Sequence, residues 1–157
     1  MKPRVVSRSR EKGSALVETA ISLVVFFAML IGIMQLAMVV YYYHTINEVA
    51  REATRWASVR GSGSCATPQT VTNCNANATT IKDHVSGLGF AQIASSDVTV
   101  AWCNAPVGGI VDNTCSQTNA PGNLVKITVT SSKPLVLPMI NSFTMNMTST
   151  SKMLISQ

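Results

Sequence analysis

The sequence predicts an α+β chain in which one long N-terminal helix, part transmembrane and part amphipathic, packs on a small antiparallel β-sheet domain. Three observations carry this reading. Ala15 to Tyr43 is almost wholly apolar, broken only by Glu18, Thr19, Ser22 and Gln35. Apolar residues then recur at i, i+3 and i+4 through Ile46, Val49, Ala50, Ala53, Trp56 and Ala57, which is the spacing of one helix face. Beyond Asp97 the texture changes to Val- and Thr-rich alternation, the period of a half-buried strand.

The first element reads as a membrane span. After Ser22 the apolar run reaches the roughly 20 residues that cross a bilayer. It is too long for the h-region of a cleaved secretory signal and passes without a small-residue cut site into Val39-Val40-Tyr41. Lys2, Arg4, Arg8, Arg10 and Lys12 precede it against the single acid Glu11, so the N-terminus is expected in the cytoplasm and the rest is exported. Tyr41, Tyr42 and Tyr43 are expected to mark the outer interface as an aromatic belt.

The helix does not stop at the membrane. Gly32 is its one glycine, no proline enters it, and the pattern ends at Gly61-Ser62-Gly63-Ser64, so a continuous helix is expected from about Ala15 to Arg60. At 1.5 Å per residue it measures roughly 70 Å, about twice the hydrocarbon core. Glu48 with Arg51, and Glu52 with Arg55, are spaced to pair on its solvated face. The second half, residues 44–60, therefore has an apolar stripe that packs on its own domain or on neighbouring subunits.

Glu18 does not suit a plain anchor. A carboxylate costs about 2.5 to 3.5 kcal/mol at the centre of a membrane helix and less towards its ends, so its place in the run calls for a partner. It stands five residues after Gly13, in Gly13-Ser14-Ala15-Leu16-Val17-Glu18, directly behind the basic leader.

That arrangement resembles the processing site of type IV prepilins. The resemblance implies a type IV pilin-like layout, a leader of residues 1–13, cleavage between Gly13 and Ser14 by a prepilin peptidase, and a role for Glu18 in assembly, pairing with the new terminal amine of a neighbouring subunit. A buried ammonium and carboxylate are each costly alone and much less so together. Within that superfamily, Ala15-Leu16-Val17-Glu18 together with Asn47-Glu48-Val49-Ala50-Arg51-Glu52-Ala53-Thr54-Arg55-Trp56-Ala57 is similar to TadE-like proteins, minor pilins of tight-adherence (Tad) pili. The sequence departs from the usual pattern at Thr19, where an aromatic is common, at Val24, where proline is frequent, and at Gln35, where an acid often stands.

The exported domain is expected over residues 61–157. Cys65, Cys74, Cys103 and Cys115 all follow the apolar stretch, which fits an oxidising exterior. Two structural disulfides are expected. Sequence order pairs Cys65 with Cys74 and Cys103 with Cys115, though four cysteines permit three connectivities. A short helix is expected near Thr79 to Leu88, with Ile81, Val85 and Leu88 on one face and His84 on its surface. Strands are expected at Val98 to Trp102, Leu124 to Thr130 and Phe143 to Ile155. Pro134 and Pro138 make Leu135 to Ile140 an apolar connector or edge.

The composition narrows the function classes. Of the 12 Lys and Arg, five lie in the first thirteen residues, leaving seven against six acids in the remainder, so nucleic acid is not expected as the primary partner. No C-x-x-C spacing and only two histidines argue against a metal site, and Asp83-His84 lacks a nucleophile, so no enzyme activity and no cofactor are expected. The expected function is that of a structural pilus or pseudopilus subunit, a single-pass inner-membrane protein that reaches the cell surface on assembly. Its expected partners are prepilin peptidase, other pilin subunits or copies of itself, and inner-membrane lipid. The alternatives are an uncleaved signal-anchored protein whose exported domain binds a partner or ligand, and the main subunit of a type IV pilus-like filament.

Overall fold

The computed structural model describes residues 9–65, 71–89, 93–105, 114–135 and 143–156, with the backbone alone at 9–12, 135 and 143. Most of the expected leader, part of the first disulfide loop and most of the expected Leu135 to Ile140 connector lie outside the described residues.

A single 50-residue helix, α1 (Ser9–Ser58), passes through Gly13 without a break. The chain after α1 adds α2 (Ala78–Gly87) and a three-stranded antiparallel sheet of β1 (Val98–Cys103), β2 (Leu124–Leu135) and β3 (Phe143–Leu154), in the order β1-β2-β3. The architecture is the α+β layout expected, a long apolar helix laid on a small antiparallel sheet.

The core lies between the sheet and the last three turns of α1. Ile46, Val49, Ala50, Ala53 and Ala57 are buried against Val98, Val125, Ile127, Val129 and Met147. The three alanines let the helix backbone lie close to the sheet, and the β-branched side chains of β2 fill the space that remains. Each fully buried Val or Ile stabilises the domain by about 1.5 to 3 kcal/mol of transfer free energy. Thr54 sits in the same core with its hydroxyl donating to the Ala50 carbonyl at 2.6 Å, so its buried polar group is satisfied within the helix.

β2 is longer than expected, running through Pro134 to Leu135, where the sequence predicts an interruption. The pairing explains the difference. β1 covers β2 only as far as Val129, so the part from Thr130 onward pairs with β3 alone and behaves as an edge, where a missing N–H is tolerated. On the outer face Thr128 and Thr150 meet across the strands at 3.1 Å, and Lys126 stands directly opposite Lys152.

Local signals fix the small helix. Asn77 accepts a hydrogen bond from the Thr80 backbone N–H while the Thr80 hydroxyl accepts from the Asn77 N–H, a complete capping box. Ile81 and Val85 then point into the core. Cys65 is bonded to Cys74 and Cys103 to Cys115. Asn119 ties the two disulfide segments together, its side-chain amide donating to Asn75 Oδ1 at 2.8 Å and to the Ala76 carbonyl at 2.9 Å.

Candidate functional site

The N-terminal half of α1 is the feature for which the domain makes no provision. From Leu16 to Met38 large apolar side chains stand exposed on every side of the helix, with Leu16 70%, Met34 70% and Leu36 68% exposed. A helix apolar all round is stable only inside another apolar phase or among other helices. The stretch Gly13–Ser58 is long and apolar enough to cross a membrane, and its most apolar window has no residue buried within the protein.

Gly13, Ser14 and Glu18 lie along the first exposed turns of this segment. No atom outside the helix's own neighbourhood lies within 4 Å of the position a Cβ would take at Gly13. Glu18 is exposed and forms no ion pair among the described residues. Thr19 in contrast is satisfied locally, its hydroxyl donating to the carbonyls of Ala15 and Leu16 at 3.0 Å. That back-bonding is how a hydroxyl is tolerated in an apolar surround.

At the other end α1 is built into the domain. Val39 and Tyr42 already pack against the core. Of the three tyrosines, Tyr41 and Tyr43 are exposed, while Tyr42 turns inward towards Lys133, whose ammonium lies 5.7 Å from the ring centre. Two spacings place α1 parallel to β3. The Ser149 hydroxyl donates to Asn47 Oδ1 at 2.6 Å, and the Ser156 N–H donates to the Ser58 carbonyl at 2.9 Å. The Pro134 end of β2 and the Thr144 end of β3 therefore face the apolar half of the helix. Of the two expected surface pairs, Glu48 and Arg51 approach to 3.7 Å, and Glu52 and Arg55 do not pair.

Residues 13–55 match the family model for TadE-like protein. This segment is TadE-like. The TadE-like match covers the exposed apolar half of α1 and most of its buried half, and it stops at Arg55, before the cysteine-bearing domain begins. No curated protein and no solved structure matches the chain.

A second cluster had no sequence signal beyond its separate residues. His84 is not a simple surface residue: its ring stacks on Trp56 at 4.5 Å between centroids with planes 15° apart, and its buried Nε2 has no hydrogen-bond partner among the described residues. The Arg60 guanidinium lies 4.3 Å from the centre of the same indole and donates to the carbonyls of Trp56 and Thr72. Burial lowers the His84 pKa below 6.5, with Glu52 opposing and Arg60 adding to the shift. The stack joins α1 to α2 and to the first disulfide loop, contacts between positions far apart in sequence that no periodicity announces. Among the described residues no group of three or more His, Cys, Asp or Glu could hold a metal ion.

Proposed function

We propose that the chain is a minor pilin of a Tad pilus, inserted in the inner membrane by the apolar half of α1, cut by prepilin peptidase between Gly13 and Ser14, and joined to neighbouring pilins through that same helix. The observation that carries the reading is the TadE-like match over residues 13–55 on a helix whose first half is unpacked and whose second half forms the core of a folded domain. A helix so divided has two partners by construction, its own domain and an external apolar phase, first lipid and then other helices. Residues 1–13 are the leader, 14–43 the anchor, 44–60 the continuation into the domain, and 61–157 the part displayed outside.

In this reading Glu18 supplies the specificity that a uniformly apolar helix lacks. Leucines and valines pack at many axial offsets with little difference in energy, whereas an ion pair with the Ser14 amine of a neighbour is satisfied at one. The peptidase also needs the helix to open at Gly13-Ser14, where the low helix propensity of glycine lowers the cost by about 1 kcal/mol relative to alanine.

The test has two independent arms. Intact mass of the protein from cells that contain prepilin peptidase should place the N-terminus at Ser14; an intact leader there leaves an uncleaved signal anchor as the reading. Glu18→Ala should insert in the membrane normally and be lost from sheared pili. Normal recovery of the variant in pili would remove Glu18 from assembly.

A further inference from the structure

Where the two disulfide-bonded segments meet, Asn75, Asn77, Trp102, Gln117, Thr118 and Asn119 line an open depression of about 380 Å³. We infer that this depression is a binding site for a neutral saccharide, one pyranose unit set against Trp102 with its hydroxyls on the surrounding carboxamides. The inference goes beyond the pilin reading and does not rest on it, because no residue of the site belongs to the TadE-like segment.

The walls are held in place before any ligand arrives. Asn75 follows Cys74, Trp102 precedes Cys103 and Gln117 lies just beyond Cys115, so each wall is rooted at a disulfide. The Gln117 N–H donates to the Trp102 carbonyl at 3.1 Å, and the Ala76 N–H to the Arg60 carbonyl at 2.8 Å. The Asn119 amide donates to Asn75 Oδ1 and to the Ala76 carbonyl, while Asn77 Oδ1 accepts the capping bond from the Thr80 N–H. These bonds orient the three asparagines and leave Nδ2 of Asn75, Nδ2 of Asn77 and Oδ1 of Asn119 without hydrogen-bond partners among the described residues. The Gln117 carboxamide and the Thr118 hydroxyl likewise bond to nothing among the described residues. Groups fixed in this way lower the ordering cost of binding.

The ligand class follows from what the walls carry and what they lack. No Asp, Glu, Lys, Arg or His lines the depression, so a phosphate, a carboxylate or a metal ion meets no countercharge there. A carboxamide presents a donor and an acceptor side by side, and adjacent sugar hydroxyls, each donor and acceptor at once, match that pattern. Trp102 is half-buried and packs on the core; it offers an apolar body to the C–H face of a pyranose and an N–H at its edge. A wholly apolar ligand would bury these carboxamides unpaired, which is costly. One aromatic ringed by a few fixed polar groups is the usual make-up of a small-ligand site, and the volume falls in the ordinary range of about 300 to 1,000 Å³. The position also suits access from outside. Trp102 pairs with Val125 and Val125 with Met153, in the rows nearest the Ser58 end of α1, so the site lies at the end of the domain away from the apolar half of the helix.

The full-length protein, in a detergent without a sugar headgroup, is tested by saturation-transfer difference NMR against the methyl glycosides of glucose, galactose, mannose and N-acetylglucosamine, with methyl glucuronide as the charged control. Transfer to the ring protons of at least one neutral glycoside is expected. Its affinity should fall about tenfold in Gln117→Ala, as for loss of the hydrogen bonds of one carboxamide, and transfer should vanish in Trp102→Ala. Should Trp102→Ala fail to fold, Gln117→Ala decides alone, since its carboxamide holds no other described segment in place. Absence of transfer to all the neutral glycosides overturns the site, as does affinity unchanged in Gln117→Ala. Equal binding of the glucuronide overturns the neutral class, and displacement of the glycoside by an equal concentration of N-acetylserine amide makes the depression a peptide groove instead. The pilin reading fails separately, by an intact leader or by normal recovery of Glu18→Ala in pili, and those results leave the saccharide site standing.

Discussion

The hydroxyl of Ser149 on β3 donates to Oδ1 of Asn47 on α1 at 2.6 Å, a bond between residues 102 positions apart that pins the sheet to the helix just above the apolar segment. Ser149→Ala leaves the partly buried Asn47 oxygen without this donor. The expected cost is about 1 kcal/mol, read as a lower midpoint at unchanged slope in urea unfolding of the full chain in detergent. An unchanged midpoint would mean that water replaces the bond without loss.

The His84–Trp56 stack is expected to make the domain that follows α1 sensitive to mild acid. Burial, the largest cause, lowers the folded-state pKa of His84 below 6.5, so the unfolded chain binds a proton before the folded one does. Stability is therefore fully present above pH 6.5 and falls as the pH drops from there towards the lowered folded value. His84→Phe keeps a ring on Trp56 and removes the proton site. Thermal unfolding followed between neutral and mildly acidic pH should show a slope in the wild type that is reduced in the variant; equal slopes would assign the acid sensitivity to other groups.

Both disulfides close short loops, with sequence separations of 9 and 12. The chain-entropy relation gives about 2.5 to 3 kcal/mol for loops of this size. Cys65→Ser with Cys74→Ser should lower stability by an amount of that order, and also loosen Arg60, whose Nε donates to the Thr72 carbonyl inside the loop. Loss of protection at 71–76 in hydrogen exchange, with the β2 amides still protected, would locate the effect.

Lys126 and Lys152 face one another on the outer surface of β2 and β3. Like charges directly opposite on a sheet destabilise it, and opposite charges contribute about 0.2 to 1 kcal/mol. Lys126→Glu should raise the unfolding midpoint at low salt, and the gain should shrink as salt screens the pair. A gain that persists in high salt would have another origin.

The long helix was legible because two strong signals agree on it: a run too apolar for water up to Tyr43, then a stripe at helical spacing to Ala57. The strands were legible because Val125, Ile127 and Val129 alternate with Lys126, Thr128 and Thr130. The extension of β2 through Pro134 was not, because whether a proline ends a strand depends on which neighbours need its N–H, and that is a property of the assembled sheet. The leader, Gly13 and Glu18 stand out through their spacing alone. His84, Arg60, Lys133 and Asn119 do not, since each acts through a contact with a distant segment and belongs to a residue type that is ordinarily solvated.

One continuous helix carries both the exposed apolar segment and the spine of the domain, and this sets the phase between the two. With no hinge in α1 between Gly13 and Ser58, the azimuth at which the sheet faces out is fixed by residue count. One residue inserted between Tyr43 and Ile46 would turn the whole domain by about 100° and raise it by about 1.5 Å relative to Glu18. The chain is in this sense an indexed part, whose outward face is dialled by the length of its own stem.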